Sequence, residues 1–399
     1  MATMRRCGRQ WACAWQLLAF FVAVVVCCML PLSEARRDAR SASNSVRQPL
    51  PLSSSLPMLR TLSSSLLLRG TLAEDTGKTP LELLQKPLQL TCDKQAEVPN
   101  VLLATLQLAP GKPRIFVRSS RDWVSNYIQE HGEWENGEVE QVVWAMKQLM
   151  QRTPGSEPVF VDVGANIGSI TIPVAAHGFR VIAFEAWSLN QQMIHGSLCM
   201  NLELMRRVTL FPLGLSDARA DCLLASSRLN TQNARVICGA DASKPHGTFE
   251  KGDSYVGELK MDRMDAVLSG DIAVMKMDVE GFELGVLRGM RKLFEQHKVS
   301  YILMEYNKKE LERAGVRPAW QVVEYLLSLG YRISIQNLRG PFLDASSAKE
   351  RELMQVYVDR IALVNLYLVH PSEDIQGGVN DSFAARMEAL LTTKHSSVG

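Results

Sequence analysis

Residues 159–170, VFVDVGANIGSI, pass from a short apolar segment rich in Val into a turn that contains two glycines. Similar short apolar segments recur later in the chain, and between them lie stretches whose apolar residues have helical spacing. Such alternation is typical of βαβ units, which build a parallel sheet. We therefore predict an α/β fold with a doubly wound sheet that also includes RVIAFEA (180–186), RVTLFPLG (207–214), IAVMKMD (272–278) and VSYILMEYN (299–307). Two further runs, GYRISIQN (330–337) and ALVNLYLVH (362–370), are expected to add strands at one edge.

The turn after the first strand has the spacing G-x-x-x-G, formed by Gly164 and Gly168. Such turns let backbone N–H groups approach a ligand. The third position of the dinucleotide fingerprint G-x-G-x-x-G is occupied by Asn166, which disfavours a nicotinamide-dependent dehydrogenase. Glu185 ends the second strand, close to where doubly wound sheets place the acid that binds a ribose diol. The simpler explanation is that the two glycines only form a turn and that Glu185 is a solvated loop acid. The glycines and Glu185 follow consecutive strands, however, which favours ligand binding.

The stretch MKMDVEGFEL (275–284) contains three carboxylates, Asp278, Glu280 and Glu283, directly after another apolar strand. In a doubly wound sheet that strand is expected to lie beside the first one, so its carboxyl end faces the ligand crevice. The structural alternative is that Asp278 caps the next helix while Glu280 and Glu283 favour its positive N-terminus. This alternative suits Glu283, whereas we expect functional roles for Asp278 and Glu280.

Four segments in this order, FVDVGANIGSI, VIAFEA, LGLSD and MKMDVEGFELGVLRGM, resemble the FkbM-type S-adenosylmethionine-dependent methyltransferases across roughly residues 120–370. The resemblance implies a Rossmann-like, seven-strand class I methyltransferase sheet with S-adenosylmethionine as cofactor. The chain departs from the family at Ala186 and Trp187, where a proline is usual, which bears on the shape of that loop. The family's cofactor-binding positions correspond here to Asp162, Gly164, Ala165, Asn166, Gly168, Glu185, Ser216 and Asp217, the last two near the adenine.

The resemblance also implies catalytic roles for three residues of the second motif. Asp278 and Glu280 are expected to lie beside the sulfonium and to accept a proton from an attacking hydroxyl. Lys276 is expected to lower the pKa of these acids or to orient the acceptor. The family, rather than the residues, supplies the preference for O-methylation. The expected acceptor is a hydroxyl on a glycan or a small metabolite, and we favour the glycan.

Several candidates around the acceptor site have two readings. Glu305 is either an acceptor-pocket residue or a loop acid beyond its strand. The side chains of Trp123, Trp134 and Trp144 either line a substrate mouth or pack in the core, and core packing is favoured. Residues 226–259 follow no recognisable pattern and are candidates for shaping the acceptor site. A non-catalytic binding module with this fold and a nucleotide-dependent oxidoreductase are the alternative functions.

The charge distribution excludes one class of partner. The net charge is +2, but residues 1–40 carry six Arg against Glu34 and Asp38, which is +4 and leaves −2 for the rest. A remainder that is slightly acidic does not suit nucleic-acid binding. The His residues are scattered and none lies in a metal or triad arrangement, so no metal is assigned.

The N-terminus is typical of a membrane-directed leader. Arg5, Arg6 and Arg9 precede a mostly apolar run from Trp11 to Leu32, which suits either an uncleaved signal anchor or a cleaved signal peptide. Either one directs the chain to the secretory pathway, and a plastid-directed leader is a further alternative. We divide the chain into a leader (1–40), a stem (41–90), an N-terminal helical cap (91–155), a methyltransferase domain (156–371) and a flexible tail (372–399).

Outside the leader the chain has four Cys residues, Cys92, Cys199, Cys222 and Cys238. In an oxidising lumen they can pair in three ways, of which Cys222 with Cys238 is the most local. Free buried thiols are an equal alternative.

Overall fold

The computed structural model describes residues 80–92, 100–119, 122–227, 234–238, 253–375 and 382–392. The predicted leader lies outside these ranges, as does the predicted stem up to residue 79. Within the described ranges, no helix combines the length and the apolar character that crossing a membrane requires.

The described strands are short and mostly apolar. In chain order they are β1 Glu82–Leu83, β2 Val101–Thr105, β3 Arg114–Arg118, β4 Val159–Val163, β5 Arg180–Phe184, β6 Val208–Phe211, β7 Gly214–Leu215, β8 Ala220–Ser227, β9 Ala234–Cys238, β10 Asp253–Asp262, β11 Leu268–Ser269, β12 Ile272–Met277, β13 Val299–Asn307, β14 Arg332–Ser334 and β15 Leu363–Val369.

Seven strands form the central sheet in the order β14-β15-β13-β12-β4-β5-β6. Neighbouring strands from β13 through β12, β4 and β5 to β6 are parallel. Strand β15 pairs antiparallel with both β13 and β14. The predicted doubly wound sheet is therefore confirmed, including the two late strands at one edge.

Helices cover both faces of this sheet. They are α1 Trp123–His131, α2 Asn136–Arg152, α3 Thr171–Ala176, α4 Ser188–Cys199, α5 Leu202–Met205, α6 Glu283–Arg288, α7 Arg291–Gln296, α8 Lys308–Arg313, α9 Gln321–Ser328, α10 Ala348–Ile361 and α11 Phe383–Thr392.

Successive side chains of a strand point to opposite faces, so β4 contributes to two separate cores. Val161 packs in an apolar cluster that includes residues of α6 and α9. Its neighbour Phe160 packs in a second cluster with residues of α2 and α4. This division of buried residues holds β4 rigidly in the middle of the sheet, where its carboxyl end carries the glycine turn.

The segment predicted as a helical cap, 91–155, is only partly helical. Strands β2 and β3 form an antiparallel hairpin ahead of α1 and α2. One face of α2 is apolar and buried, through Val139, Val142, Val143, Met146 and Leu149, whereas Met150 is 44% exposed. The hairpin was missed because β2 has few fully buried residues and lacks a clear alternating pattern.

The prediction of a flexible tail at 372–399 is wrong for residues 383–392. Helix α11 lies there, with Phe383 and Met387 buried in the same cluster as residues of α10. An ion pair between Lys349 Nζ and Glu388 Oε1, 2.7 Å apart, joins the two helices.

A second, four-stranded sheet in the order β7-β10-β8-β9 occupies the region that followed no pattern in the sequence. A disulfide joins Cys222 to Cys238, which is the most local of the predicted pairings. Another joins Cys92 to Cys199. In the described part of the chain all four of these Cys residues are therefore paired.

Candidate active site

The glycine turn crosses the carboxyl end of β12. Gly164 has a φ of +86°, and a Cβ atom at this position would lie 1.9 Å from the carbonyl oxygen of Asp278. Only glycine combines that backbone conformation with so close an approach. Asp278 N also donates to Val163 O at 3.0 Å, which ties the two motifs of the sequence together.

Glu185 lies beside this turn at the end of β5 and is buried. Its two carboxylate oxygens accept hydrogen bonds from Asn166 N and Trp187 N, each at 2.8 Å. Burial raises the pKa of Glu185 to about 7, although these two bonds act in the opposite direction. The residue therefore fixes the shape of the turn and also presents a carboxylate to the adjoining cavity.

An apolar cavity of about 150 Å³ opens between the central sheet and the second sheet. Glu185 lies on its wall, together with Gly164 and Asn166 of the turn. Most of the remaining wall is apolar: Phe184, Ala186, Trp187, Leu213, Leu215, Leu224, Val236, Leu259, Met261, Val279 and Phe282. We call this space the apolar cavity.

A second cavity of about 250 Å³ lies on the other side of the turn and is strongly acidic. Its wall contains one Lys and the carboxylates of Glu135, Asp162, Asp278, Glu280 and Glu305, along with Ala165. We call this space the acidic cavity. The two cavities share Gly164, Asn166, Asp278 and Glu280, so they meet at the carboxyl ends of β4 and β12.

Lys276 is the cation of the acidic cavity. Its Nζ lies 3.2 Å from Asp278 Oδ2 and 3.6 Å from Glu135 Oε2. Burial lowers the pKa of Lys276, but Asp278, Glu135 and Asp162 outweigh it and hold this pKa above its ordinary value. Lys276 therefore stays protonated and holds Asp278 in place.

Asp162 lies on β4 and is almost completely buried. Its Oδ2 accepts a hydrogen bond from Thr171 Oγ1 at 2.6 Å, whereas Oδ1 has no partner among the described residues. Burial raises the pKa of Asp162. An unpaired buried carboxylate oxygen on a cavity wall is costly unless a ligand donates to it.

Glu280, in the loop after β12, and Glu305, on β13, line the same acidic cavity. Burial and the nearby carboxylate of Asp278 raise the pKa of Glu280 to about 7 and that of Glu305 to about 8. Glu280 has a φ of +50°, and Asn166, across the junction, has a φ of +52°. Positive φ in non-glycine residues is uncommon and clusters at functional sites.

Glu283 has the structural role that the sequence suggested. Its Oε1 accepts from Val279 N at 3.3 Å and from Gly281 N at 3.2 Å, so it braces the loop that carries Glu280. Asp278 does not cap α6, because the residue at the cap position is Phe282. The capping alternative for Asp278 is therefore wrong.

The structure does not bring Ser216 and Asp217 to either cavity. Ser216 N donates to Asp262 O at 3.0 Å, and its side chain faces the backbone of α6 at Gly285. The short strand β7 pairs with β10 and ends at Leu215, which directs the chain away from the apolar cavity. Both residues therefore lie outside the two cavities, and their position near an adenine stays a prediction. Gly168 also lines neither cavity and instead packs against Ile172 and Ile194.

Two of the three tryptophans lie at the acidic cavity. Trp123 is 77% exposed and Trp134 is half-buried, and both contribute to its wall. Core packing was therefore the wrong reading for Trp123. Trp144 packs edge-on against the buried ring of Tyr301.

Sequence reasoning missed Glu135 and the wall provided by the second sheet. Glu135 has a φ of +47° in the turn between α1 and α2, and no local pattern marks it as a partner of Lys276. Trp187 was noted only as a departure from the family. Its ring lies 4.2 Å from the guanidinium carbon of Arg118, and it forms part of the apolar cavity.

The raised carboxylate pKa values predict how stability depends on pH. A pKa of about 7 or 8 in the folded state, against an ordinary value near 4.5, means that the folded chain binds protons more tightly. The proton binding stabilises the folded chain most below about pH 4.5. This stabilisation is lost as the pH rises from about 4.5 through 7 to 8. Each such group lowers the free energy of unfolding by up to about 1.4 kcal/mol per pH unit over that window.

Denaturant unfolding of the wild type and of Glu305→Gln between pH 5 and pH 8 checks this prediction. The wild type should lose stability as pH rises, and the variant should show a shallower slope because one titrating group is gone. Equal slopes would contradict the assignment of a raised pKa to Glu305.

The chain has a distant likeness to several solved structures. No curated protein matches the chain at a significant level. The chain is 13% identical to precorrin-6Y C5,15-methyltransferase from Geobacter metallireducens, with 59% of this chain and 86% of that chain covered and a TM-score of 0.27. It is 12% identical to P. horikoshii TYW2 in complex with MeSAdo, with 67% and 70% covered and a TM-score of 0.29.

A third solved structure with a distant likeness is the bifunctional kinase-methyltransferase WbdD, at 14% identity and a TM-score of 0.31. The match covers 63% of this chain and 43% of that chain. The family model that matches is the methyltransferase FkbM domain, and the match runs from residue 162 to residue 333. That range begins in β4, ends in β14 and contains both motifs that meet at the two cavities. Residues 162–333 are therefore a methyltransferase FkbM domain.

Proposed function

We propose that the protein transfers a methyl group from S-adenosylmethionine to a hydroxyl group of a neutral, sugar-like acceptor. The observation that carries this proposal is the meeting of an apolar and an acidic cavity at Gly164, Asn166, Asp278 and Glu280. Group transfer requires two reactants to be held in one place in the right orientation. The junction of the two cavities provides such a place within the FkbM domain.

The apolar cavity fits the nucleoside part of the cofactor. The Glu185 oxygens each accept one backbone hydrogen bond and keep further acceptor capacity for a ribose diol. No Lys or Arg occurs among the described residues that line this cavity. A nucleoside without phosphates suits such a wall, whereas a nicotinamide dinucleotide carries two phosphates. This chemistry disfavours the oxidoreductase alternative.

The acidic cavity fits the charged end of the same cofactor. The unpaired Oδ1 of buried Asp162 matches an ammonium group, which has N–H donors and no acceptor. When bound, the cofactor supplies a methyl group on a positively charged sulfur. Carboxylates held in place before the reaction stabilise positive charge of this kind.

The residues of the junction are placed to handle the acceptor proton. Asp278 lines both cavities, and Lys276 fixes its position, so we assign Asp278 as the group that accepts the proton from the attacking hydroxyl. Glu280 has a pKa of about 7 and is therefore suited to share that proton near neutral pH. Glu305 lines the same cavity and is assigned to hydrogen bonding with the acceptor.

The wall of the acidic cavity supports the choice of acceptor class. Its carboxylates repel anionic acceptors such as sugar phosphates and accept hydrogen bonds from hydroxyl groups. An exposed indole at the cavity mouth offers a flat apolar surface to the C–H face of a sugar ring. Trp123 and Trp134 supply that surface, which favours a glycan over a charged metabolite.

Trp123→Ala tests the role of the cavity mouth. We expect the KM for the acceptor to rise about fivefold, because one stacked aromatic contributes about 1 kcal/mol, while cofactor affinity stays within twofold. Leu363→Ala, at an exposed apolar residue that lines neither cavity, is the matched control. An unchanged acceptor KM in the Trp123 variant would remove this residue from the acceptor site.

Glu185→Ala tests the nucleoside site. We expect cofactor affinity to fall at least about tenfold, because the variant loses the ribose acceptor and both hydrogen bonds to the turn. Asp217→Ala is the comparison, since Asp217 is exposed and lies outside both cavities. Calorimetric titration with S-adenosylhomocysteine measures both variants. A larger loss in the Asp217 variant would restore the adenine role that the sequence suggested.

A transfer assay tests the reaction itself. The purified protein is incubated with methyl-labelled S-adenosylmethionine and separate sets of neutral glycosides, amines and sugar phosphates. The proposal predicts label in a neutral glycoside and in neither of the other sets. Transfer to an amine would mean that the acceptor group is an amine and not a hydroxyl. Cofactor binding without any transfer would favour the non-catalytic binding module.

We also propose that the protein acts in the lumen of the secretory pathway, anchored to the membrane if its leader is retained. Two disulfides among the described residues support an oxidising compartment. Protease protection in sealed microsomes tests this proposal. Resistance to added protease until detergent is present supports it, and digestion without detergent contradicts it.

A further inference from the structure

The second sheet provides one wall of the apolar cavity. Its strands β8, β9 and β10 contribute Leu224, Val236, Leu259 and Met261 to that wall. The opposite wall comes from the end of β5 in the central sheet and the loop that follows it, Phe184 to Trp187, while β7 of the second sheet adds Gly214 and Leu215. An apolar cavity between two sheets, with the Glu185 carboxylate on its wall, has the chemistry of a site for a purine nucleoside.

The Cys222–Cys238 disulfide lies on the same face of the second sheet as the cavity wall. Cys222 pairs with Cys238 in the register of β8 and β9, and Leu224 pairs with Val236 two residues along each strand. Side chains two residues apart point to the same face. The disulfide therefore belongs to the row of side chains that includes the cavity wall.

Contacts link the disulfide directly to that wall. Cys238 Sγ lies 3.6 Å from Met261 Sδ, and Cys222, Leu224, Leu259 and Met261 are buried in one apolar cluster with Trp187. Strand β9 is at the edge of its sheet and pairs only with β8 among the described strands. An edge strand is held on one side alone, so a covalent link to its neighbour restricts how far it can move.

We infer that the β8–β9–β10 sheet is the purine-binding wall of the cofactor site, and that the Cys222–Cys238 disulfide is required to hold Val236 and Met261 in that wall. The inference rests on the proposed function, because it assigns the nucleoside of S-adenosylmethionine to the apolar cavity. The inference assigns the purine contacts to residues of the second sheet and not to Ser216 and Asp217. It also makes cofactor affinity depend on oxidation of this one cysteine pair.

The test measures binding of S-adenosylhomocysteine to the full chain by calorimetry. Cys222→Ser/Cys238→Ser is expected to weaken binding at least tenfold. Cys92→Ser/Cys199→Ser removes the other disulfide, whose residues line neither cavity, and is expected to stay within twofold of the wild type. Circular dichroism establishes that each variant is folded before it is titrated.

A second variant covers the case in which the double Cys variant does not fold. Val236→Asn keeps the disulfide but places an amide on the apolar wall, and it too is expected to weaken binding at least tenfold. Its control is Tyr255→Asn, since Tyr255 is exposed on β10 and lies outside the cavity.

The outcomes separate the inference from the proposed function. Failure of the folded wild type to bind S-adenosylhomocysteine would overturn the proposed function and this inference with it. Binding by the wild type, with affinity kept within twofold in a folded double Cys variant or in Val236→Asn, would overturn the inference alone. Equal losses in both double Cys variants would also contradict it, because the effect would not be specific to the purine wall.

Discussion

Gly164→Ala is expected to abolish cofactor binding and to lower the free energy of unfolding by about 3 kcal/mol or more. The new Cβ would lie 1.9 Å from Asp278 O, an oxygen of the backbone that cannot turn aside. The positive φ adds a penalty of about 1 kcal/mol for any residue with a Cβ atom. The turn must therefore shift away from β12, and both cavities lose their shared wall.

Gly178→Ala is the matched control for this substitution. Gly178 has a comparable φ of +96°, but a Cβ atom there would meet nothing within 4 Å. The control should show only the backbone penalty and should keep cofactor affinity. Denaturant unfolding and calorimetry with S-adenosylhomocysteine measure both variants. Similar losses in the two variants would mean that the contact with Asp278 does not matter.

Asp278→Asn is expected to lower kcat about 10²- to 10⁴-fold while changing cofactor affinity far less. The amide has nearly the same shape as the carboxylate, so packing is kept while the negative charge and the capacity to accept a proton are lost. Lys276 keeps Glu135 as an ion-pair partner in the variant, 3.6 Å away in the structure. Steady-state kinetics and calorimetry together separate the loss of turnover from the loss of binding.

Glu280→Gln is expected to lower turnover in the same way but by a smaller factor, because in the proposed mechanism Asp278 accepts the proton and Glu280 only shares it. Glu310→Gln is the control, since this carboxylate lies near Glu280 without lining either cavity. Wild-type turnover in both Asp278→Asn and Glu280→Gln would refute their assignment as proton acceptors.

Local patterns in the sequence were sufficient to predict the central sheet. The β-branched runs give strands because their side chains are buried on both faces, as the fully buried β4 and β12 show. The adjacency of these two strands follows from the connection rules of doubly wound sheets. For this reason the glycine turn and the acids after β12 were correctly predicted to lie together.

The rest of the site depends on contacts that no local pattern encodes. Glu135 reaches Lys276 only because α2 packs across β12. Ser216 lies outside both cavities, where it follows β7, and the pairing of β7 with β10 was not predicted from the sequence. Strand β10 contains a bulge at Gly257, and its pattern of alternation is broken there. The second sheet, which provides one wall of the apolar cavity, therefore could not be predicted from the sequence pattern.

We propose that S-adenosylmethionine binds to this protein at the junction of the two cavities. The most direct test is calorimetric titration of the folded, oxidised protein with S-adenosylmethionine and, separately, with a nicotinamide dinucleotide. We expect binding of the first ligand alone, with a Kd on the order of micromolar, or about −8 kcal/mol, and a strong loss of affinity in Glu185→Ala. Absence of binding by a demonstrably folded sample, or binding of the dinucleotide instead, would contradict it.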